Sequence, residues 1–282
     1  MHKLGRCLVT ILVIILRCTT LLAQDNVKLP PAKVGGDPPE WLKTYPFPVS
    51  EFTFVRLKYE ASGDRRSVQW MTDYPDADIN LSKRLQELTS LKVNLNGTVL
   101  SAEDLQLKDH PFCYLSGNGL WSLNDIQINA LRSYLSAGGF LMIDDVWGEE
   151  EINHTKGNVA NLFPDRQIVD LPLSHPLFHG AYEILEKPQV PSIFIALQGK
   201  DRGITWERDD AKDSQYMAVK NDAGRIMILL CLNTDLADGW ERFDDDVWYG
   251  QEFSEKRAIP MGINAIFYAL TTRAHAHSTE TQ

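Results

Sequence analysis

Gly138-Gly139-Phe140-Leu141-Met142-Ile143-Asp144-Asp145 decides the fold. Four consecutive apolar residues, Phe140 to Ile143, are entered through two glycines and end on two adjacent carboxylates. An apolar run without alternation reads as a strand buried on both faces, the signature of a parallel sheet covered by helices. The stretch before it, Ser122 to Ala137, has the length and pattern of the crossover helix such a sheet needs. Ligands of open α/β sheets sit outside the carboxyl ends of the strands. Asp144 and Asp145 are expected there, and side-chain alternation along a strand would bring only one of them to the rim.

Upstream, Phe52 to Tyr59 alternates aromatic and β-branched residues and reads as a strand, followed by a polar loop from Ala61 to Asp76. Asp78 is expected to cap a helix carrying Leu81, Leu85 and Leu88. Lys92 to Leu100 reads as strand broken by a turn at Asn96-Gly97. Phe112 to Ser116 is a further buried strand. Ser122 and Asp125 have the spacing of a capping box, and Ile126, Leu131, Tyr134 and Leu135 form the expected apolar face of the helix that stops at Gly138-Gly139.

Downstream, only a short helix is expected within Trp147 to Phe163, near Asn158 to Phe163. Gln167 to Leu171 and Ile193 to Leu197 are expected to be strands, and Ser174 to Phe178 a loop because Pro176 keeps His175 out of helical geometry. Tyr216 to Val219 and Arg225 to Leu232 pair as a hairpin across Asn221 to Gly224, the second strand being apolar enough to lie inside the sheet. Ala237 to Gly250 reads as an acidic aromatic loop, Ala258 to Leu270 as the last helix, and residues 271–282 as a polar tail. Strand–helix alternation gives an α/β domain over residues 52–270, flavodoxin-like and doubly wound, with a mostly parallel sheet and antiparallel additions toward the C-terminus.

Bulk properties bound the function. Lys3 and Arg6, the apolar run Cys7 to Leu16, and Ala23 before Gln24 match a secretory signal peptide spanning residues 1–23. The run is short for a membrane span, so a secreted, periplasmic protein is expected, with a retained N-terminal anchor as the other reading. Residues 24–51 are a Pro- and Gly-rich lead-in. The net charge of −10 over 282 residues argues against a nucleic-acid backbone or an anionic membrane surface as partner. Removal of the leader takes Cys7 and Cys18 with it. Cys113 and Cys231 remain, each inside an apolar run, and are expected to be free and buried.

Several spaced motifs then come into view. Phe52-x-Phe-Val-Arg-Leu-x-Tyr59, Trp70-x-x-Asp73-Tyr-Pro-x-Ala-Asp-x-Asn80, His110-Pro-Phe112, Gly138 to Asp145, Phe163-Pro164, His175-Pro-x-Phe178 and Gly262-x-Asn264-x-x-x-Tyr268-Ala-Leu270 resemble the domain of unknown function 4159 family over most of the chain. The resemblance implies a fold similar to the class I glutamine amidotransferases and the trehalose-utilisation (ThuA-like) proteins, and it implies no reaction. A working amidotransferase needs an activated cysteine in a tight turn after a central strand. The equivalent turn here, Met142 to Gly148, has none, and no Gly-x-Ser-x-Gly elbow is present.

Polar residues close four strand segments: Arg56 and Tyr59, Ser116 and Asn118, Asp144 and Asp145, Asn233 and Asp235. Asp73, Asp78, His175 and Asn264 are positioned to approach from loops and helix starts. Such residues are the ordinary material of loops and caps; it is their recurrence at four strand ends that points to a ligand site. The ligand-binding set expected is Arg56, Asp78, Ser116, Asn118, Asp145, Asp235 and Asn264. Asp144, Asp145 and His175 are the candidates for acid–base work. Carboxylates without clustered histidines suit Mg²⁺ or Ca²⁺ rather than Zn²⁺. Trp147, Trp206, Trp240 and Trp248, read as lying in polar loops, could stack on a sugar. The expectation is an extracytoplasmic ligand-binding or scaffolding domain, its ligand a small molecule or carbohydrate, with a metal-assisted hydrolase of a carbohydrate or cell-envelope substrate, using Asp144 or Asp145 and His175, as the alternative.

Overall fold

A computed structural model describes residues 51–61, 69–118 and 121–278. The expected leader, the lead-in up to residue 50, most of the polar loop after Ala61, Gly119 and Leu120, and the last four residues of the chain lie outside the described residues. Nine strands are described: β1 (Phe52–Lys58), β2 (Glu60–Ala61), β3 (Val93–Ser101), β4 (Phe112–Ser116), β5 (Trp121–Ser122), β6 (Phe140–Val146), β7 (Ile168–Asp170), β8 (Gln215–Lys220) and β9 (Ile226–Leu232). The helices are α1 (Asp76–Leu88), α2 (Asp125–Ser136), α3 (Gly148–Leu162), α4 (Ile193–Gly199), α5 (Leu236–Glu241), α6 (Val247–Tyr249) and α7 (Ile259–Ser278), the last preceded by a π-helical stretch over Gly250–Ala258.

Seven strands form one sheet in the order β3-β1-β4-β6-β9-β8-β7. The first five are parallel neighbours, and β8 and β7 are added antiparallel. Counted along the chain, the parallel part has the order 2-1-3-4-5 of a flavodoxin-like sheet. Every residue of β4, β6 and β9 is buried, as the unbroken apolar runs required.

Alternation along the strands sorts the two faces. Val55, Leu57, Cys113, Leu115, Leu141, Ile143, Ile228 and Leu230 pack against Leu131 and Leu135 of α2 and Ile152, Val159 and Leu162 of α3. The opposite face carries aromatics. Phe54 lies 5.5 Å from Phe112 and 5.7 Å from Tyr114, and Phe112 stacks on Phe140 at 5.9 Å, under Trp240 of α5 and Tyr268 of α7. The last residues of this aromatic face are polar. Phe52-x-Phe54-x-Arg56, Phe112-x-Tyr114-x-Ser116 and Phe140-x-Met142-x-Asp144 all run from ring to polar group toward the carboxyl end, and all three end residues are buried.

Several expectations are corrected. Lys92 to Leu100 is not broken by a turn: β3 is continuous, and Gly97, at φ +59°, accommodates a register shift against β1. A Cβ at Gly97 would stand 3.0 Å from the Phe54 carbonyl oxygen. The helix near Asn158 starts at Gly148, because Glu149 to Glu151 suit the positive N-terminus and Ile152, Thr155, Val159 and Leu162 share its buried face. Ile193 to Leu197 is helix rather than strand, since Asp238 accepts the Ile193 N–H and the start of a helix is thereby satisfied. The capping box of α2 is Asn124 with Gln127 instead of Ser122 with Asp125, and Ile126 is exposed rather than on the packed face. Asp78 is not an N-cap; it lies in the first turn of α1, turned inward. His175 itself starts a short 3₁₀ turn over Pro176–Phe178. The region after Ala237 is mostly helical, and α7 runs past Leu270 to Ser278. Cys113 and Cys231 are free and buried. No helix among the described residues is long and apolar enough to cross a membrane.

Candidate functional site

Three chain segments bring carboxylates to the carboxyl end of the sheet. Asp73 comes from the segment just before α1, Asp145 from the end of β6, and Asp235 from the turn after β9. One oxygen from each of these three lies within 4.8 Å of the others, and so does one from each of Asp73, Asp238 and Glu241. The two groups share Asp73. Asp145 and Asp235 are each 5 % exposed and Asp238 6 %.

Local structure explains how each is held. Arg56, fully buried at the end of the aromatic face, donates through Nη1 to the carbonyls of Trp70 (3.1 Å) and Thr72 (2.8 Å), fixing the loop that ends on Asp73. Its Nε donates to Asp78 at 3.0 Å, and its guanidinium lies 4.8 Å above the Tyr114 ring. Asp73 and Asp145 take left-handed backbone conformations, at φ +61° and +60°, as does Asn233 at +56°. These are the non-glycine residues with positive φ among those described, and all three border the cluster. Aspartate and asparagine enter this region more readily than other side chains. At Asp145 the turn of the backbone breaks the strand alternation, and its N–H donates to the Thr234 carbonyl at 3.2 Å.

The two neighbouring carboxylates therefore have separate duties. Asp144 Oδ2 accepts the Ala237 N–H at 3.1 Å and faces Tyr114 Oη at 3.4 Å, so it secures the first turn of α5. Asp145 carries the rim position. Asp235 caps the same helix by accepting the Asp238 N–H at 3.0 Å. Asp238 Oδ2 accepts from Ile193 N–H (2.9 Å) and Tyr249 O–H (2.7 Å), and Arg242 Nε lies 2.7 Å from Glu241.

Burial is the main force on the protonation of this cluster, and mutual repulsion adds to it. Desolvation, then the charges of Asp238 and Glu241, push the Asp73 carboxyl well above its ordinary value. Desolvation, then Asp73, does the same at Asp145, and desolvation, then Asp145 and Asp73, at Asp235. Asp238 is raised to about 7 by burial, its hydrogen bonds from Tyr249 and Ile193 opposing the rise. Arg242 is paired with Glu241, and Arg56, the guanidinium behind Asp73, is committed to Asp78: burial alone would lower the Arg56 pKa, but the Asp78 charge holds it above its ordinary value. A crowd of carboxylates, three buried and two (Asp73 and Glu241) half-buried, with so little positive charge must hold protons or a cation.

Not every expected residue joins. Arg56 and Asp78 stand behind the cluster as a buried ion pair rather than at the ligand. Ser116 is buried, and its carbonyl accepts the Tyr59 hydroxyl at 2.8 Å. Asn118 is half-buried two residues past β4. Asn264 spends its amide on the backbone of Tyr182, donating to the carbonyl and accepting the N–H, both at 2.8 Å. His175 is elsewhere. Its ring packs 5.9 Å from Tyr268, whose hydroxyl accepts the Ile226 N–H at the start of β9, the end of that strand opposite Asp235. Trp240 belongs to α5 and the core, and Trp147 is also buried, so neither offers a face to a sugar. Trp206 and Trp248 are half-buried beneath Lys212 and Lys200.

Asp238 and Glu241 escaped the sequence reading, which took their segment as a loop. Asp235-x-x-Asp238-x-x-Glu241 was the available signal: spacings of three place such residues along one helix face.

Neither thiol stands as a nucleophile. Cys113 and Cys231 sit in mid-strand, and burial pushes the Cys113 thiol up to about 12 and the Cys231 thiol well above its ordinary value.

The molecule is thus a flavodoxin-like α/β domain with a largely buried carboxylate cluster at the carboxyl ends of its parallel strands. Residues 53–270 match the family model described as Domain of unknown function (DUF4159), and the chain belongs to that family. A comparison with curated proteins finds no match.

Proposed function

We propose that this protein is an extracytoplasmic ligand-binding domain whose ligand carries positive charge and binds at the cluster of Asp73, Asp145, Asp235, Asp238 and Glu241. One observation carries the reading: five carboxylates from three segments converge at the ligand end of the sheet, and the one cation paired within the group is Arg242 on Glu241 among the described residues. The extracytoplasmic part rests on the leader pattern in residues 1–23. A neutral carbohydrate is the weaker ligand class here, because Trp147 and Trp240 are buried and the cluster is anionic. Hydrolysis through Asp144 or Asp145 with His175 lacks support, since Asp144 is engaged with α5 and His175 packs at the other end of the strands.

Isothermal titration at low ionic strength tests the proposal, with Mg²⁺, Ca²⁺ and spermidine set against neutral disaccharides and citrate. Cations should bind the wild type, and Asp145→Asn should weaken them at least ~10-fold, the loss expected when one charged partner is removed. Preference for a neutral or anionic compound, or binding indifferent to Asp145→Asn, would overturn it.

A further inference from the structure

We propose that Asp73, Asp145 and Asp235 form a seat for one hard divalent cation, Mg²⁺ or Ca²⁺; this rests on the cation-binding reading above and names its ligand.

Geometry supplies the first argument. The three carboxylates present one oxygen each within 4.8 Å of the others. Ligands on opposite sides of Ca²⁺ stand ~4.6–5.2 Å apart, and on Mg²⁺ ~4.0–4.2 Å, adjacent ones being closer. Three oxygens this close can share one ion, and the upper bound is that of the larger Ca²⁺. The donor set is wholly carboxylate, which selects a hard cation over zinc or copper.

Unused acceptors supply the second. Asp145 is 5 % exposed, and its Oδ2 has no hydrogen-bond partner among the described residues. Asp73 Oδ2 is in the same condition. A buried carboxylate oxygen left without a donor is costly, and a cation at this point would satisfy both at once. The neighbouring group of Asp73, Asp238 and Glu241 is the poorer seat, because Asp238 already accepts from Ile193 and Tyr249, and Glu241 is paired with Arg242.

Burial decides between a bare ion and an organic ammonium. An ammonium brings a carbon chain that needs room beside its charge, whereas Asp145 and Asp235 are each 5 % exposed. A small ion reached from the half-buried Asp73 side, with water or a ligand oxygen completing its coordination, needs no such room. The supports are fixed in advance. Arg56 holds the carbonyls of Trp70 and Thr72 ahead of Asp73, the Asp145 N–H is tied to Thr234, and the Asp235 N–H donates to the Val190 carbonyl at 2.8 Å.

The test is thermal unfolding of the full chain after chelator treatment, with CaCl2, MgCl2 and spermidine added separately. Asp145→Asn is the variant of choice, because asparagine tolerates the left-handed backbone there. Ca²⁺ or Mg²⁺ at about 100 times its Kd should raise the wild-type Tm by about 5 °C or more and leave Asp145→Asn unmoved. A wild type unmoved by both metal ions overturns the metal seat, whatever the variant does. A metal-induced rise of equal size in Asp145→Asn also overturns it. If spermidine alone stabilises the wild type and not the variant, the metal seat fails while the cation-binding cluster stands. If none of the three acts, both fail.

Discussion

Asp144 and Ala237, 93 residues apart, are joined by a buried hydrogen bond of 3.1 Å from the Ala237 N–H to Asp144 Oδ2. It ties the end of the central strand β6 to the first turn of α5, the helix that carries Asp238 and Glu241. Asp144→Ala removes the acceptor and strands a buried amide. The expected cost is about 2 kcal/mol, within the range for a lost cap or an unsatisfied buried donor. Asp144→Asn keeps an oxygen in place and should lie much closer to the wild type. Urea unfolding of the two variants checks this. Equal losses in both would mean that the charge, and not the acceptor, is what α5 requires.

Arg56 and Asp78 make the second structural claim. Both are buried, and the guanidinium also carries the carbonyls of Trp70 and Thr72. Burial raises the Asp78 pKa despite the opposing pull of Arg56, while Arg56 is held protonated, so the pair costs much to desolvate and more to break. Arg56→Met leaves Asp78 buried without its partner and should cost roughly 3–5 kcal/mol. Arg56→Met with Asp78→Leu should recover a good part of that stability. It should not recover cation binding, because the loop before Asp73 would still lack its anchor. Chemical denaturation and titration calorimetry on the same two proteins separate these effects. A double variant that binds cations like the wild type would remove Arg56 from the positioning of Asp73.

What could be read from the chain follows from how local each signal is. Phe140 to Ile143 and Ile226 to Leu232 are apolar without interruption, so their interior position in the sheet is written in four to seven adjacent residues. The same logic placed Asp145 and Asp235 at the ligand end. Asp238 and Glu241 were hidden because the run from Ala237 to Gly250 has no apolar periodicity of the usual kind; its helix is made by the caps of Asp144 and Asp235, one of them 93 residues away. Ile193 to Leu197 misled for the converse reason. A short apolar run cannot be told as strand or helix by periodicity alone, and the remote Asp238 carboxylate decided it. His175 was misplaced by its chemistry. A histidine beside a proline attracts attention, yet here its Nδ1 merely accepts the Leu177 N–H and starts a turn.

That last hydrogen bond has a measurable consequence. Because Nδ1 accepts from Leu177 at 3.2 Å, the ring must be neutral with its proton on Nε2. Burial, and secondarily the charge of Lys220, lower the His175 pKa below its ordinary value of 6.5. In the unfolded chain the ring takes its proton first as the pH falls. The stability due to neutral His175 is therefore fully present above 6.5 and is lost as the pH drops from 6.5 through the lower folded value. His175→Asn keeps an acceptor at the start of the turn and cannot titrate. The difference in urea midpoint between wild type and His175→Asn should be flat above pH 7 and should shift in favour of the variant below about 6.5. An NMR titration of the His175 ring should give a midpoint below 6.5. Cation binding should be the same in both proteins, since the ring packs on Tyr268 and not on the carboxylates. A ring that titrates above 6.5, or a variant that loses the cation response, would restore His175 to the site.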